Sequence, residues 1–180
     1  MQLGYSWLGK ELAVDFANTV IVVRPGEELD GLATEEDLER WLELERDRLG
    51  EAPRAGSQEF RRLRNAVRTL MTAAAEGDEL PAPAVATVNR ASRAAPRFAQ
   101  LRDGAAVDES RARTRADEVL GAIAASAIDL LGGPDRRLIR VCRAPRCGLF
   151  FLADRERRQW CSPSCGNRAR VARHYARHAG

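Results

Sequence analysis

The chain has 180 residues, of which 44% are apolar and 31% charged, and its net charge is +3. That apolar content supports a packed core and excludes an intrinsically disordered chain. No apolar run approaches the roughly eighteen residues needed to cross a bilayer, Thr19 to Val23 being the longest candidate. Met1 to Lys10 lacks the basic start and long apolar stretch of a secretory signal. The expectation is a cytoplasmic protein with no membrane partner, in which reduced thiols serve as metal ligands rather than disulfides. The charge is unevenly spread. From Arg136 to Gly180 there are twelve arginines and only two acids, Asp154 and Glu156, whereas the preceding 135 residues hold seventeen bases and twenty-four acids. An acidic body with a basic tail is the asymmetry of a chain that meets nucleic acid or another anionic partner.

Leu12, Phe16 and Val20 recur every four residues, which predicts a first helix ended by Arg24-Pro25-Gly26. Thr34 reads as a helix N-cap followed by Glu35, Glu36 and Asp37, where the helix dipole favours acids. The stripe of that helix runs through Leu38, Trp41, Leu42, Glu45 and Leu49. Ser57 reads as the cap of the next, whose stripe is Phe60, Leu63, Val67, Leu70, Met71 and Ala74. Pro81 opens a further helix to about Ser92. The period then changes: Arg97 to Arg102 alternates, Asp103-Gly104 is a two-residue turn signal, and Ala105 to Val107 returns. A long alanine-rich helix carries Val119, Leu120, Ile123, Ala127, Ile128 and Leu131, and Gly132-Gly133-Pro134 stops it. The predicted class is α+β: a mainly helical body over 1–134 with one small β-hairpin, then a treble-clef-like module over 135–180.

All four cysteines lie in that module: Cys142-x4-Cys147, thirteen residues, then Cys161-x3-Cys165. Two close pairs separated by a hairpin-length spacer suit the tetrahedral preference of zinc, and four sulfurs leave no open position for catalysis. The expectation is one structural zinc ion. The first pair frames a knuckle. Leu149 to Leu152 and Arg158 to Trp160 read as two short strands, and Ser162-Pro163 caps a final helix. His174 and His178 are not needed as ligands, since the eight residues between Cys165 and His174 carry them up the helix.

On that helix Arg170, Arg173, His174, Arg177 and His178 share one face, while Cys165, Arg168, Ala169, Ala172, Tyr175, Ala176 and Ala179 share the other. The basic face, with Arg143 and Arg146 of the knuckle, is the expected nucleic-acid surface. Arg168 is expected to face inward, toward backbone carbonyls or an acid of the body.

The run Trp160 to Arg168, which contains Cys165-Gly166-Asn167-Arg168, resembles the signature of the CGNR zinc-finger proteins. The Cys142–Cys147 knuckle, Gly148 and Phe150-Phe151 match it as well. Family members often carry four residues between the last two ligands; this chain has three, which leaves the ligands usable. Leu12 to Val20 resembles the opening of the ABATE domain that usually precedes this finger. The resemblance implies a bacterial stress-induced transcription regulator, with Gly166, Asn167 and Arg168 as structural motif residues.

Asp15, Asn18 and Thr19 lie on or beside the first apolar stripe. They either tether neighbouring helices, as buried polar groups usually do, or line an effector pocket with Arg64, Arg68 and Asn89. Two functions from different classes follow. One is a DNA-binding regulator, acting as a homodimer with a small-molecule effector. The other is a zinc-stabilised protein-interaction or RNA-binding module in which Phe150, Phe151 and Trp160 meet the partner. No nucleophile–base–acid constellation or phosphate loop marks an enzyme.

Overall fold

The computed structural model describes residues 11–24, 26–154 and 157–178. Seven α-helices occur among them: α1 (Leu12–Ala17), α2 (Glu35–Leu44), α3 (Arg46–Leu49), α4 (Ser57–Glu76), α5 (Ala82–Ala94), α6 (Arg115–Gly132) and α7 (Pro163–His178). The strands among the described residues form three antiparallel pairs: β1 (Val20–Arg24) with β2 (Glu27–Asp30), β3 (Arg97–Arg102) with β4 (Ala105–Ser110), and β5 (Ile139–Val141) with β6 (Phe150–Leu152). The fold is α+β. No described helix is long and apolar enough to cross a membrane.

The core forms where α6 meets α1, α4 and α5. Its buried side chains include Phe16, Trp41, Phe60, Val67, Met71 and Ile123. Local signals explain most of the elements. Thr34 and Asp37 make a reciprocal capping box at α2, and Thr114 caps α6 through the Asp117 amide. Asp103 and Gly104 both have positive φ, as the tight β3–β4 turn requires.

Four local expectations need correction. Val20 does not continue the first helix. That helix ends at Ala17, where the Thr19 hydroxyl donates to the Phe16 carbonyl, and the β-branched run Val20-Ile21-Val22-Val23 extends into β1. Among the described residues the body therefore has two hairpins, where one was expected. The helix over Thr34 to Leu49 breaks at Glu45, leaving α2 and the single turn α3. Ser57 is already inside α4, behind Gly56, and makes no cap.

The third hairpin ties the two ends of the chain together. Ile139 on β5 and Phe150 on β6 are buried in the same core as the helices of the body. The Asn18 carboxamide, fully buried just past α1, reads both backbone groups of Phe150: Nδ2 donates to its carbonyl at 3.0 Å, and Oδ1 accepts from its amide at 2.8 Å. From α4, Arg68 Nη1 donates to the Ala17 carbonyl at 2.7 Å, and its guanidinium lies over the Phe150 ring. The core is thus continuous across position 134.

Other polar residues of the body are held in pairs. Buried Asp15 and Glu45 both receive the Arg48 guanidinium. Burial still pushes the Glu45 carboxyl up, against the pull of Arg48. Arg64, also buried, pairs with Asp30 of β2 and reaches Asn65 Oδ1. Burial raises the Asp30 carboxyl, but the Arg64 and Leu32 hydrogen bonds outweigh it and hold the group below its ordinary range. That contribution is present above the unfolded carboxylate pKa and is lost as pH falls. Asn89 is half-buried on α5. Five of the six residues considered for a pocket, Asp15, Asn18, Thr19, Arg64 and Arg68, are therefore engaged in contacts within the fold.

The Asn18–Phe150 pair gives a direct prediction. Asn18→Ala leaves a buried amide and carbonyl of Phe150 without partners and should cost about 1–3 kcal/mol of stability. Urea denaturation measures this, and an unchanged midpoint would show that the carboxamide holds nothing.

Candidate functional site

β5 and β6 pair across the first cysteine pair, with Ile139 opposite Leu152 and Val141 opposite Phe150. The Cys142 amide donates to the Leu149 carbonyl at 2.9 Å, closing the loop between them. Inside that loop the Cys147 amide donates to the Ala144 carbonyl, and Arg146 takes a left-handed φ of 57° just before the ligand. Gly148 follows because space is short: a Cβ there would lie 3.0 Å from Val22 Cγ2 of β1. The expected strand at Arg158 to Trp160 is absent: β6 pairs with β5 on one edge, and on the other the Asn18 carboxamide takes the Phe150 backbone groups. The segment is instead held by Arg158, whose guanidinium donates to the Trp160 and Cys161 carbonyls at 3.0 and 2.7 Å and lies over Phe151. In the sequence Arg158 marks the start of an expected strand, and its spacing from Trp160 and Cys161 carries no signal of this role.

Helix α7 supplies Cys165, and Cys161 lies just ahead of it. The Ser162 hydroxyl accepts from the Cys165 amide at 3.3 Å, and Pro163 begins the helix. Gly166 sits under Trp160, where a Cβ would come within 3.1 Å of the indole. Asn167 is exposed, and its Oδ1 accepts from Arg170 at 3.3 Å.

These elements bring Cys142, Cys147, Cys161 and Cys165 together with all four sulfurs within 4.8 Å of one another. Cys147 and Cys161 Sγ are 3.7 Å apart, and Cys161 and Cys165 Sγ 3.4 Å. A zinc–sulfur bond of about 2.3 Å gives a tetrahedron with edges of about 3.8 Å, so the four sulfurs fit one zinc ion. None of the four is in a disulfide. Their electrostatics point the same way. Hydrogen bonds from Cys147 and Cys161 bring the Cys142 thiol down to about 2. The same crowding, led by Cys142, pushes Cys147 up to about 11 and raises Cys161 as well. Four thiolates cannot share this space without a cation, and a divalent ion supplies the compensating charge. The chain carries a single structural four-cysteine zinc site.

The rest of α7 departs from expectation. Only Cys165 and Ala169 are buried. Ala172, Tyr175 and Ala176, expected to pack, are exposed, because the helix runs past the small hydrophobic cluster on which Cys165 rests. Ala179 lies outside the described residues. Arg170, Arg173, His174 and Arg177 are all exposed, and so are Val171 and Tyr175. Arg173 and Arg177 lie back along the helix, their Nε atoms donating to the Ala169 and Arg173 carbonyls at 3.3 Å. Arg168 does not face inward: it is exposed and reaches the sulfur of Cys165 rather than a carbonyl or an acid. In the knuckle, Arg143 turns toward Glu76 of α4, 3.8 Å away. Arg146 instead borders a cleft of about 670 Å³ between α1–β1 and the zinc site, as do Asn18 and Arg168.

Two family models match the chain. Residues 10–134 match ABATE, described as "Putative stress-induced transcription regulator". Residues 138–178 match the CGNR zinc finger. No curated protein matches the sequence. The zinc geometry, the position of the Cys165-Gly166-Asn167-Arg168 run at the start of α7 and the two matches in this order agree, and the chain belongs to the ABATE family, with a CGNR zinc finger following the ABATE domain.

Proposed function

We propose that this protein is a DNA-binding transcription regulator in which the free part of α7 contacts duplex DNA. The observation that carries the reading is the segment Arg170 to His178, exposed on every side, rich in Arg and His and without an acid. Nine residues of helix span about 13 Å, a length suited to a B-DNA major groove about 12 Å wide. Arg170, Arg173, His174 and Arg177 share the face that would meet phosphates and base edges, and their weak contacts along the helix are easily exchanged for charge-assisted bonds to phosphate. Arg146 is a second contributor from the knuckle; Arg143, turned toward Glu76, is a lesser one.

The family description supports a regulatory role, and a stress response belongs to the same reading. One helix offers a small interface, so the reading includes two copies on two half-sites. An effector would act at the junction between body and finger, because Asn18 is committed to Phe150. The competing interaction-module reading has less support, since Phe150 and Phe151 are 4% and 7% exposed and of its three aromatics Trp160 alone is half-buried.

The experiment is a titration of the full chain with duplex DNA at a series of salt concentrations. Replacing Arg170, Arg173 and Arg177 together with alanine should weaken binding and lower the slope of log K against log salt by about 0.9 for each lost phosphate contact. Zinc content should be unchanged, since no ligand is touched. Equal binding by the wild type and the triple variant at every salt concentration would remove α7 as the DNA surface. A preference for RNA over duplex DNA would turn the reading toward an RNA-binding module.

A further inference from the structure

We infer that Arg168 is a positioning residue of the zinc centre, holding the fourth ligand through a hydrogen bond and an ion pair to its sulfur. Arg168 Nη2 lies 2.9 Å from Cys165 Sγ, one turn back on α7. It is the only side chain besides cysteine with a hydrogen bond to a ligand sulfur among the described residues.

The charge balance gives this contact a purpose. Zinc with four thiolates carries a net charge of −2. Left bare, that charge sits at the base of the helix proposed to approach phosphate. A guanidinium against one sulfur offsets part of it, and the N–H···S bond withdraws density from the thiolate that α7 contributes. Two other nearby cations are differently engaged: Arg158 is spent on the Trp160 and Cys161 carbonyls, and Arg143 leans to Glu76. Nor does Arg168 belong to the basic face. It precedes Arg170 by two residues, about 200° around the helix, so a phosphate role alongside Arg170, Arg173 and Arg177 is geometrically poor.

Because Arg168 is exposed, its truncation removes little packing. Its effect should pass through the sulfur. Partners that orient metal ligands typically cost ten- to a hundredfold in metal affinity when lost.

The test compares the full-length, zinc-loaded wild type with Arg168→Met, which keeps the stem without the charge, and Arg168→Lys, which restores a cation. Zinc transfer to a colorimetric chelator should be roughly ten- to a hundredfold faster in Arg168→Met and partly restored in Arg168→Lys. A purely structural role would not move the second readout. In the cobalt-substituted proteins the thiolate-to-metal charge-transfer band should shift to longer wavelength in Arg168→Met and return toward the wild type in Arg168→Lys. The salt slope of DNA binding should stay the same in both. Wild-type release and an unshifted band in Arg168→Met would overturn the inference. So would a fall of about one unit in salt slope with zinc release unchanged, since Arg168 would then be a phosphate contact. If Arg168→Met fails to fold, Arg168→Lys is compared with the wild type alone: faster release with the band at longer wavelength supports the assignment, and wild-type release with an unshifted band contradicts it.

Discussion

One carboxamide, buried where α1 gives way to β1, reads the amide and carbonyl of a single residue 132 positions later. Asn18 is suited to this because it carries a donor and an acceptor side by side, which is what one edge residue of a strand presents. The bond pair does for β6 what another strand would do, since β5 covers only one of its edges. Through it the loop after the first helix is joined to the loop that carries two zinc ligands. Arg68 adds to the same point from a third element, touching both Ala17 and Phe150.

The zinc site depends on this arrangement and also reinforces it. Cys142 directly follows β5, and Cys147 precedes β6 by three positions, so the ion and the hairpin fix the same loop from opposite ends. Ile139 and Phe150 carry that rigidity into the helical core, while the close approach of Gly148 to Val22 leaves no room for the knuckle to slide along β1. On the far side of the metal, α7 has only Cys165 and Ala169 to hold it. The result is a gradient from a fixed knuckle to a projecting helix. Such a helix can enter a groove without first being pulled off a packed surface.

Much of this was legible in the residues, for identifiable reasons. The paired cysteine spacing implied the metal because tetrahedral coordination permits few other arrangements, and Thr34 and Asp103-Gly104 mark their elements by local chemistry alone. What was missed involved partners distant in sequence or patterns with two meanings. β2 reads Glu27-Glu28-Leu29-Asp30 and has no apolar alternation, so nothing marked the first hairpin. The three residues of β5 lie directly behind a 3-10 turn and gave no strand signal of their own. Ala172 and Ala176 fall in line with Cys165 and Ala169 and look like a packing face, yet the surface they would need stops at Ala169. Asn18 stood out as a polar residue near a core, but no local pattern names its partner.

If the finger is joined to the body in this way, zinc stabilises more than the segment that binds it. Hydrogen–deuterium exchange of the full chain, with zinc and after chelation, measures this element by element. The account predicts that zinc removal speeds exchange in α7 and the knuckle, and also in α1 and in the turns of α4 around Arg68 that meet Phe150. Faster exchange confined to residues 142–178, with α1 and α4 as protected as before, would contradict it.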